Sequence, residues 1–449
     1  MKKRMYKIMA LAMTAAMVVP MAAQTTAFAA DDKEITYWNI AVESPDKDIV
    51  TAAVDKFNKE TKSGYTVNSV AIQNDTYKEK LVIAMSSGEC PDMYSSWSGG
   101  PMYEYIDSGF AQPIDDLLDQ SDVKDKLLDA AIEQGSYNGH VYAIPYLNVS
   151  LAGIFYNKDM FKQYGLEEPK TLADLENICA TLKENGITPF ALANGSKWTG
   201  SMYFMSLAAR YGGLEPFQNA VAGTGKFTDD CFIKAGEKIQ EWVNNGYFPD
   251  GVNSLSEDDG QAKQLMYQET AGMLLCGSWY TGTFQTDSEE FYQKIGWFPF
   301  PAIDDSDADP TIQIGTVGDQ FISFNCEGDK LAAAFECATD HLSDEVEDMI
   351  YSTGKIAPVK DAGDHISDPV VKEIFDAAQK ASSIQLWYDQ YLPTSVASAH
   401  LDGLQEVFGL TKTPQEAQEE MQKAMDEYLS TKSDSGAADD TAEEATDDA

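Results

Sequence analysis

The chain has 449 residues, 43% of them hydrophobic, and carries 73 acidic against 32 basic side chains, a formal net charge of −41. At about 150 residues per domain this length predicts two or three domains with room for buried cores. A polyanion of this charge repels phosphate backbones and acidic lipid surfaces, so no nucleic-acid partner and no headgroup docking are expected.

Met1-Lys-Lys-Arg4 and Lys7 make a basic start, Ile8 to Val19 is an apolar run broken only by Thr14, and Ala27-Phe-Ala29 offers a small-x-small cleavage site. The run is shorter than the about 20 residues that span a bilayer, so residues 1–30 read as a secretory signal peptide and the mature protein as exported.

Ile35 to Ile40 reads as a first strand. Asp46 to Lys62 follows as an amphipathic helix, with Ile49, Val50, Ala53, Val54 and Phe57 at helical spacing. Tyr65 to Ile72 alternates as a strand, Asp75 to Ser87 is a second helix, and Pro91 to Trp97 a third strand. This β-α-β-α-β order predicts parallel strands with crossover helices. Asn138-Gly139, between strand-like flanks in Tyr137 to Pro145, signals a hairpin. Thr171 caps a helix running to Gly186, and Asp368 caps another to Ser382 with Pro369 in its first turn. Gln261 to Glu269, Lys330 to Leu342 and Pro414 to Tyr428 are further helices, and Ala271 to Cys276 is a buried strand. Two α/β bodies suit this order better than one wide sheet. From Ser433 the chain turns to Ala, Asp, Glu, Thr and Ser, which cannot bury enough to offset ordering entropy, so a disordered acidic tail is expected.

Catalytic patterns are scarce. The histidines are His140, His341, His365 and His400, and neither H-E-x-x-H nor G-x-S-x-G occurs. Asp305-x-Asp307-x-Asp309 opens like a calcium loop, but Pro310 and Thr316 stand where Gly and Glu are required. Cys90, Cys179, Cys231, Cys276, Cys326 and Cys337 are widely spaced and read as free or buried thiols, not metal ligands. No catalytic residue, metal or cofactor is expected. A glycosidase needs only two carboxylates, so a secreted carbohydrate-active enzyme stands as the alternative reading.

Tryptophans, in contrast, stand beside Gly, Ser and Asp at strand ends and in loops: Trp97-Ser-Gly-Gly100, Lys197-Trp-Thr-Gly200, Gly277-Ser-Trp-Tyr280 and Trp387-Tyr-Asp389. Open α/β sheets bind ligands at the carboxyl ends of their strands. An aromatic face matches the C–H face of a pyranose ring, and nearby Asn, Asp, Glu and Ser can bond its hydroxyls.

Several segments, in order, resemble the extracellular solute-binding proteins of carbohydrate ABC transporters, the large maltose-binding-like class. They are Tyr77-Lys-Glu-Lys-Leu81 with Met85-Ser-Ser-Gly-Glu-Cys-Pro-Asp-Met93; Tyr142-Ala-Ile-Pro145 followed by Gly153-Ile-Phe-Tyr-Asn-Lys158; Pro169-Lys-Thr-Leu-Ala-Asp-Leu175; and Ala271-Gly-Met-Leu-Leu-Cys-Gly-Ser-Trp279. The resemblance runs from about Ile35 to Tyr428 and lies nearest to oligosaccharide binders. It implies a two-lobe periplasmic-binding-protein fold of α/β class, with hinge crossings near Leu147-Asn148, Ile295-Gly296 and Leu342-Ser343 and a sugar in the cleft. The N-terminal lobe would comprise 31–147 plus 296–341, the C-terminal lobe 148–295 plus 342–430, with 431–449 as tail. Trp97, Trp198 and Trp279 would be ring platforms, and Asn39, Glu43, Asp75, Ser98, Asn148, Asp319 and Asp389 hydroxyl partners, with Trp387 and Tyr388 in the last cleft segment. The implied partners are a carbohydrate ligand and the membrane permease subunits of an importer, the protein itself being a monomer. The family's Gram-positive members commonly carry Cys directly after the leader. Here the first is Cys90, so a periplasmic, released or wall-held protein is expected.

Overall fold

A computed structural model describes residues 33–443, with side chains to 432. The leader expected over 1–30 lies outside the described residues.

The first sheet has the order β2-β1-β3-β12-β6. Strands β1 (Glu34–Asn39), β2 (Thr66–Ala71) and β3 (Met93–Ser96) are parallel, as the alternation of strands and helices predicts. Strand β12 (Gln320–Phe324) pairs antiparallel with β3, and β6 (Ala143–Tyr146) pairs antiparallel with β12 and forms the edge. Helix Asp46–Glu60 turns Ile49, Val50, Ala53, Val54 and Phe57 inward, and Asp46 and Asp48 in its first turn oppose the positive end of its dipole. The predicted hairpin is β4 (Ser136–Tyr137) with β5 (His140–Val141), turned by Asn138 at φ 50° and Gly139 at φ 84°. Positive φ at both turn residues is what a two-residue hairpin demands and what Asn-Gly tolerates.

The second sheet is built on β7 (Val149–Asn157), buried along its whole length. Strand β9 (Ala271–Gly277) pairs on one side of it and is followed outward by β8 (Thr188–Phe190). On the other side lie β10 (Ile295–Pro299) and β11 (Gln313–Val317), and β13 (Ile384–Gln385) extends β11. Helices Trp198–Gly212, Asp230–Asn244 and Thr394–Phe408 pack beside it, and the core includes the fully buried Trp242, stacked on Phe190 at 5.6 Å. Two helix starts are as read: Thr171 and Asp174 form a reciprocal capping box, and the Asp368 carboxylate accepts from the N–H groups of Val370 and Val371.

The chain passes from the first sheet to the second at Leu147–Asn148, where Leu147 takes φ 74°. The other crossings differ from those expected. Strands β10 and β11 both pair with β7, so Ile295-Gly296 lies inside the second sheet and the return falls between Val317 and Gln320. Residues 344–360 stay with the first lobe. Helix Asp344–Ser352 packs on helix Asp46–Glu60, and Val359 bridges to Leu127; the chain rejoins the second lobe only with helix Pro369–Lys380, against β10. The last helix, Pro414–Glu443, also runs past Ser433, so the acidic segment expected to be disordered is helical as far as Glu443. Its Ala and Glu residues are good helix formers, and it extends a helix already anchored by Ala417, Met421 and Met425. All six cysteines are free.

Candidate cleft site between the lobes

The carboxyl ends of β1, β3 and β9 open on one space between the lobes, a cavity of about 210 Å³. Four tryptophans line it. Trp97 follows β3 on the first lobe, edge-on to Tyr77 and with the Lys78 ammonium 5.0 Å from its ring centre. Trp198 opens helix Trp198–Gly212, Trp279 follows β9, and Trp387 follows β13. These three form a continuous aromatic wall, with 6.0 Å between the ring centres of Trp198 and Trp279 and 6.0 Å between Trp279 and Trp387. A side chain at Gly277 would meet the Trp279 ring at 1.9 Å, so the ring lies flat over the strand end only because that residue is glycine. The indole Nε1 of Trp198 is shielded from solvent and has no acceptor.

Polar groups are interleaved with the rings. Asp46, Glu257, Asp319 and Asp389 bring carboxylates, and Asn74, Gln320 and Gln390 bring amides. Lys78 stands 3.6 Å from Asp389, and Lys355, almost fully buried, pairs with Asp46. Burial pushes the Asp319 carboxyl up to about 7, with Asp46 adding to the rise and Lys355 opposing it. Burial also lifts Glu257 to about 7, against the hydrogen bond it accepts from the Tyr280 hydroxyl.

Of the residues singled out in the sequence, Trp97, Trp198, Trp279, Asp319, Trp387 and Asp389 converge on this cavity. Glu43 lines an adjoining space that shares Asp46, Glu257 and Trp279 with it, and lies 3.4 Å from Lys263. Asp75 stands at the rim, its backbone N–H bonded across the cleft to Asp258. Four others are placed elsewhere. Asn39 turns the chain after β1: its Oδ1 accepts from the Ala41 N–H at 3.0 Å and its amide donates to Ser69 at 2.8 Å. Asn148 ties the hinge, accepting from the Ile356 N–H at 2.8 Å. Tyr388 is buried in the second lobe, stacked on Phe217 at 4.1 Å, and Ser98 is buried outside the cavity lining. Glu257, Asp46, Lys78 and Lys355 were missed. Asp46 reads as an ordinary first-turn helix acid, and Ser256-Glu-Asp-Asp-Gly260 as a solvated acidic loop.

Among the described residues there is no group of three or more His, Cys, Asp or Glu placed to hold a metal, and no helix long and apolar enough to cross a membrane.

Two lobes around a cleft bearing the site define a periplasmic-binding fold, and the sequence comparisons agree with it. A family model described as bacterial extracellular solute-binding protein matches residues 41–338, and the chain belongs to that family. It is 29% identical over 288 residues to an uncharacterized ABC transporter extracellular-binding protein of Pyrococcus horikoshii, covering 63% of this chain and 64% of that one. It is 26% identical over 339 residues to a probable sugar-binding periplasmic protein of Mesorhizobium japonicum, covering 72% and 78%. The chain thus spans somewhat less than two thirds of the Pyrococcus relative, and 55% of the xylose/arabinose-binding protein of Haloferax volcanii. A solved structure from work on xylan utilization by the thermophilic bacterium Caldanaerobius polysaccharolyticus superposes with a TM-score of 0.79 at 29% identity, covering 87% of this chain and 99% of that one. A chitin oligosaccharide binding protein shares the fold at TM-score 0.80 and 24% identity, covering 88% and 98%.

Proposed function

We propose that the chain is the extracellular receptor of an ABC importer for sugars, closing on a saccharide between its lobes and presenting it to membrane permease subunits. The observation that carries this reading is the convergence of Trp97, Trp198, Trp279 and Trp387, from both lobes, on one cavity edged with carboxylates and amides. Flat rings stack on the C–H faces of pyranoses, and the acceptors between them take the hydroxyl protons. Relatives named for sugar binding, and solved neighbours from xylan utilization and chitin oligosaccharide binding, support the ligand class. Three thin crossings between the lobes suit a hinge. A ligand touching both lobes favours the closed state by its differential affinity, which is what a permease would sense.

In this reading the protein binds without turnover, needs no cofactor and acts as a monomer. A thermal-shift screen over neutral oligosaccharides tests it. A saccharide at 100 times its dissociation constant adds about 2.7 kcal/mol, a rise of a few degrees. A bound saccharide recovered intact by chromatography supports a receptor. Cleaved product from catalytic amounts of protein would establish the glycosidase alternative instead, and no shift with any saccharide would remove the sugar reading.

A further inference from the structure

The charges facing the cleft and its adjoining space do not balance. Three lysines are there, and each is tied: Lys78 to Asp389 at 3.6 Å, Lys263 to Glu43 at 3.4 Å, and Lys355 to Asp46. No arginine is among the described lining residues. Three carboxylates are left over. Asp258 accepts the backbone N–H of Asp75, and Glu257 accepts the Tyr280 hydroxyl. Asp319 makes neither a hydrogen bond nor an ion pair among the described residues, although it sits on the crossing between β11 and β12 and faces the cavity. A carboxylate so placed, with the tryptophan wall beside it, has no structural bond to make and is free for a ligand.

Resting on the saccharide reading, we infer that the cleft selects by charge: it takes sugars whose rings carry no carboxylate, sulfate or phosphate, with Asp319 and Glu257 as the specificity-determining residues. An uncharged ring gives its hydroxyl protons to these carboxylates. A uronate, sulfated or phosphorylated ring is set against the surplus acids with no uncommitted cation to meet it, and repulsion of this kind is how a site rejects an otherwise matching partner. Specificity thereby rests on what the site lacks as much as on what it offers.

The titration of the two groups makes this exclusion dependent on pH. Asp319 is pushed up to about 7 by burial and by Asp46, with Lys355 opposing. Glu257 is pushed up to about 7 by burial, Asp258 and Asp75, with Tyr280 and Lys263 opposing. Both are therefore ionised at about pH 8 and largely neutral at about pH 5.5, where a uronate still carries its charge.

The test uses the mature chain and calorimetry with trisaccharides of glucose, galactose and mannose, each beside its C6-oxidised uronate counterpart. At about pH 8 the uronate of whichever neutral trimer binds should bind at least about tenfold more weakly. The gap should narrow at about pH 5.5, and should narrow at pH 8 in the double variant Glu257→Gln, Asp319→Asn, even though that variant binds the neutral trimer less well. Equal affinity for the two members of a pair, or a gap unmoved by pH and by the double variant, overturns charge selection while leaving the sugar receptor standing. Binding of none of the trimers, and of no neutral oligosaccharide in the thermal-shift screen, overturns the saccharide reading, and charge selection with it.

Discussion

The Asp258 carboxylate, on the second lobe, accepts the backbone N–H of Asp75 on the first, at 2.9 Å. Asp75 lies in the first turn of helix Asn74–Ser87, whose own N-cap residue, Gln73, makes no side-chain capping bond. One lobe thus caps a helix of the other. The orphan N–H groups and the positive end of the helix dipole favour an anion there, while burial and the Asp75 carboxylate oppose its charge, so the hydrogen bond is what holds the two lobes together at this point.

Replacing Asp258 by Ala should therefore weaken sugar binding without weakening the sugar-free protein. Loss of a capping side chain costs about 1 kcal/mol, or roughly fivefold in affinity. Asn, which also caps, should recover most of it. Calorimetry beside melting curves of the sugar-free protein checks this. A drop in sugar-free stability with affinity unchanged would mean that the bond persists whether or not sugar is present.

A second contact between the lobes is steric. A side chain at Gly100 would lie 2.1 Å from the Leu392 carbonyl oxygen, and one at Gly99 2.2 Å from that of Gln390. Gly100 begins helix Gly100–Asp107 and is not among the positive-φ residues, so alanine suits its backbone, and the nearest atoms its Cβ would meet belong to Leu392 and Pro393 of the other lobe. Gly100→Ala should hold the lobes apart, abolishing the fall in radius of gyration on adding sugar and cutting affinity at least tenfold. The melting temperature without sugar should stay within about a degree, because alanine within a helix favours folding. Scattering curves that contract normally on adding sugar would show that the lobes do not need this approach.

Trp279 and Trp242 make a matched pair. Trp242 is wholly buried, donates to Glu176 at 2.9 Å and stacks on Phe190. Its replacement by Ala should cost about 3–5 kcal/mol of stability. Trp279 is part-exposed on the cavity wall, so Trp279→Ala should cost much less stability and remove at least about 1.4 kcal/mol of binding, a factor of ten. Equal destabilisation in the two variants would place Trp279 in the core.

The buried acids and histidines predict opposite pH limbs for the sugar-free protein. Glu257 and Asp319 have folded values near 7, above their ordinary range, so the folded state holds protons that the unfolded chain has released. Stability from this source falls as pH rises from about 4.5 to about 7. The double variant Glu257→Gln, Asp319→Asn should melt higher than the parent at about pH 8 and lose that advantage by about pH 4. His341 and His400 are buried neutral, bonded to the Cys337 carbonyl and the Ser201 hydroxyl, and burial depresses them to about 4 and about 3. Here the unfolded state binds the extra proton, so stability is lost as pH falls below about 6.5 toward those values. Melting temperature against pH for both proteins reads the two limbs, and parallel curves would refute the carboxylate assignment.

Much of the architecture is written in periodicity. The apolar spacing of Ile49 to Phe57, the caps at Thr171 and Asp368 and the Asn138-Gly139 turn are local signals, and local physics decided them. The tryptophans were legible because a large ring beside Gly at a strand end has few other uses. The second and third hinges were not, since a crossing such as Val317–Gln320 is too short to carry a period, and β10 and β11 read alike whichever sheet they join. Asn39 and Asn148 mark the same limit. A buried Asn at a strand end serves a ligand or its own backbone with the same sequence, and only the bonds to Ala41, Ser69 and Ile356 distinguish the cases.

The aromatic wall also gives the molecule an optical property. Four of its seven tryptophans line the cleft, and the rings of Trp198, Trp279 and Trp387 are close enough for excitation of one to pass to the next. Light absorbed anywhere along this chain of indoles is emitted from the cleft, where, in the proposed reading, a bound sugar ring would displace water from the indole faces. Loading can therefore be followed as a blue shift of the protein's own emission, with no label and no added dye, in the unaltered protein.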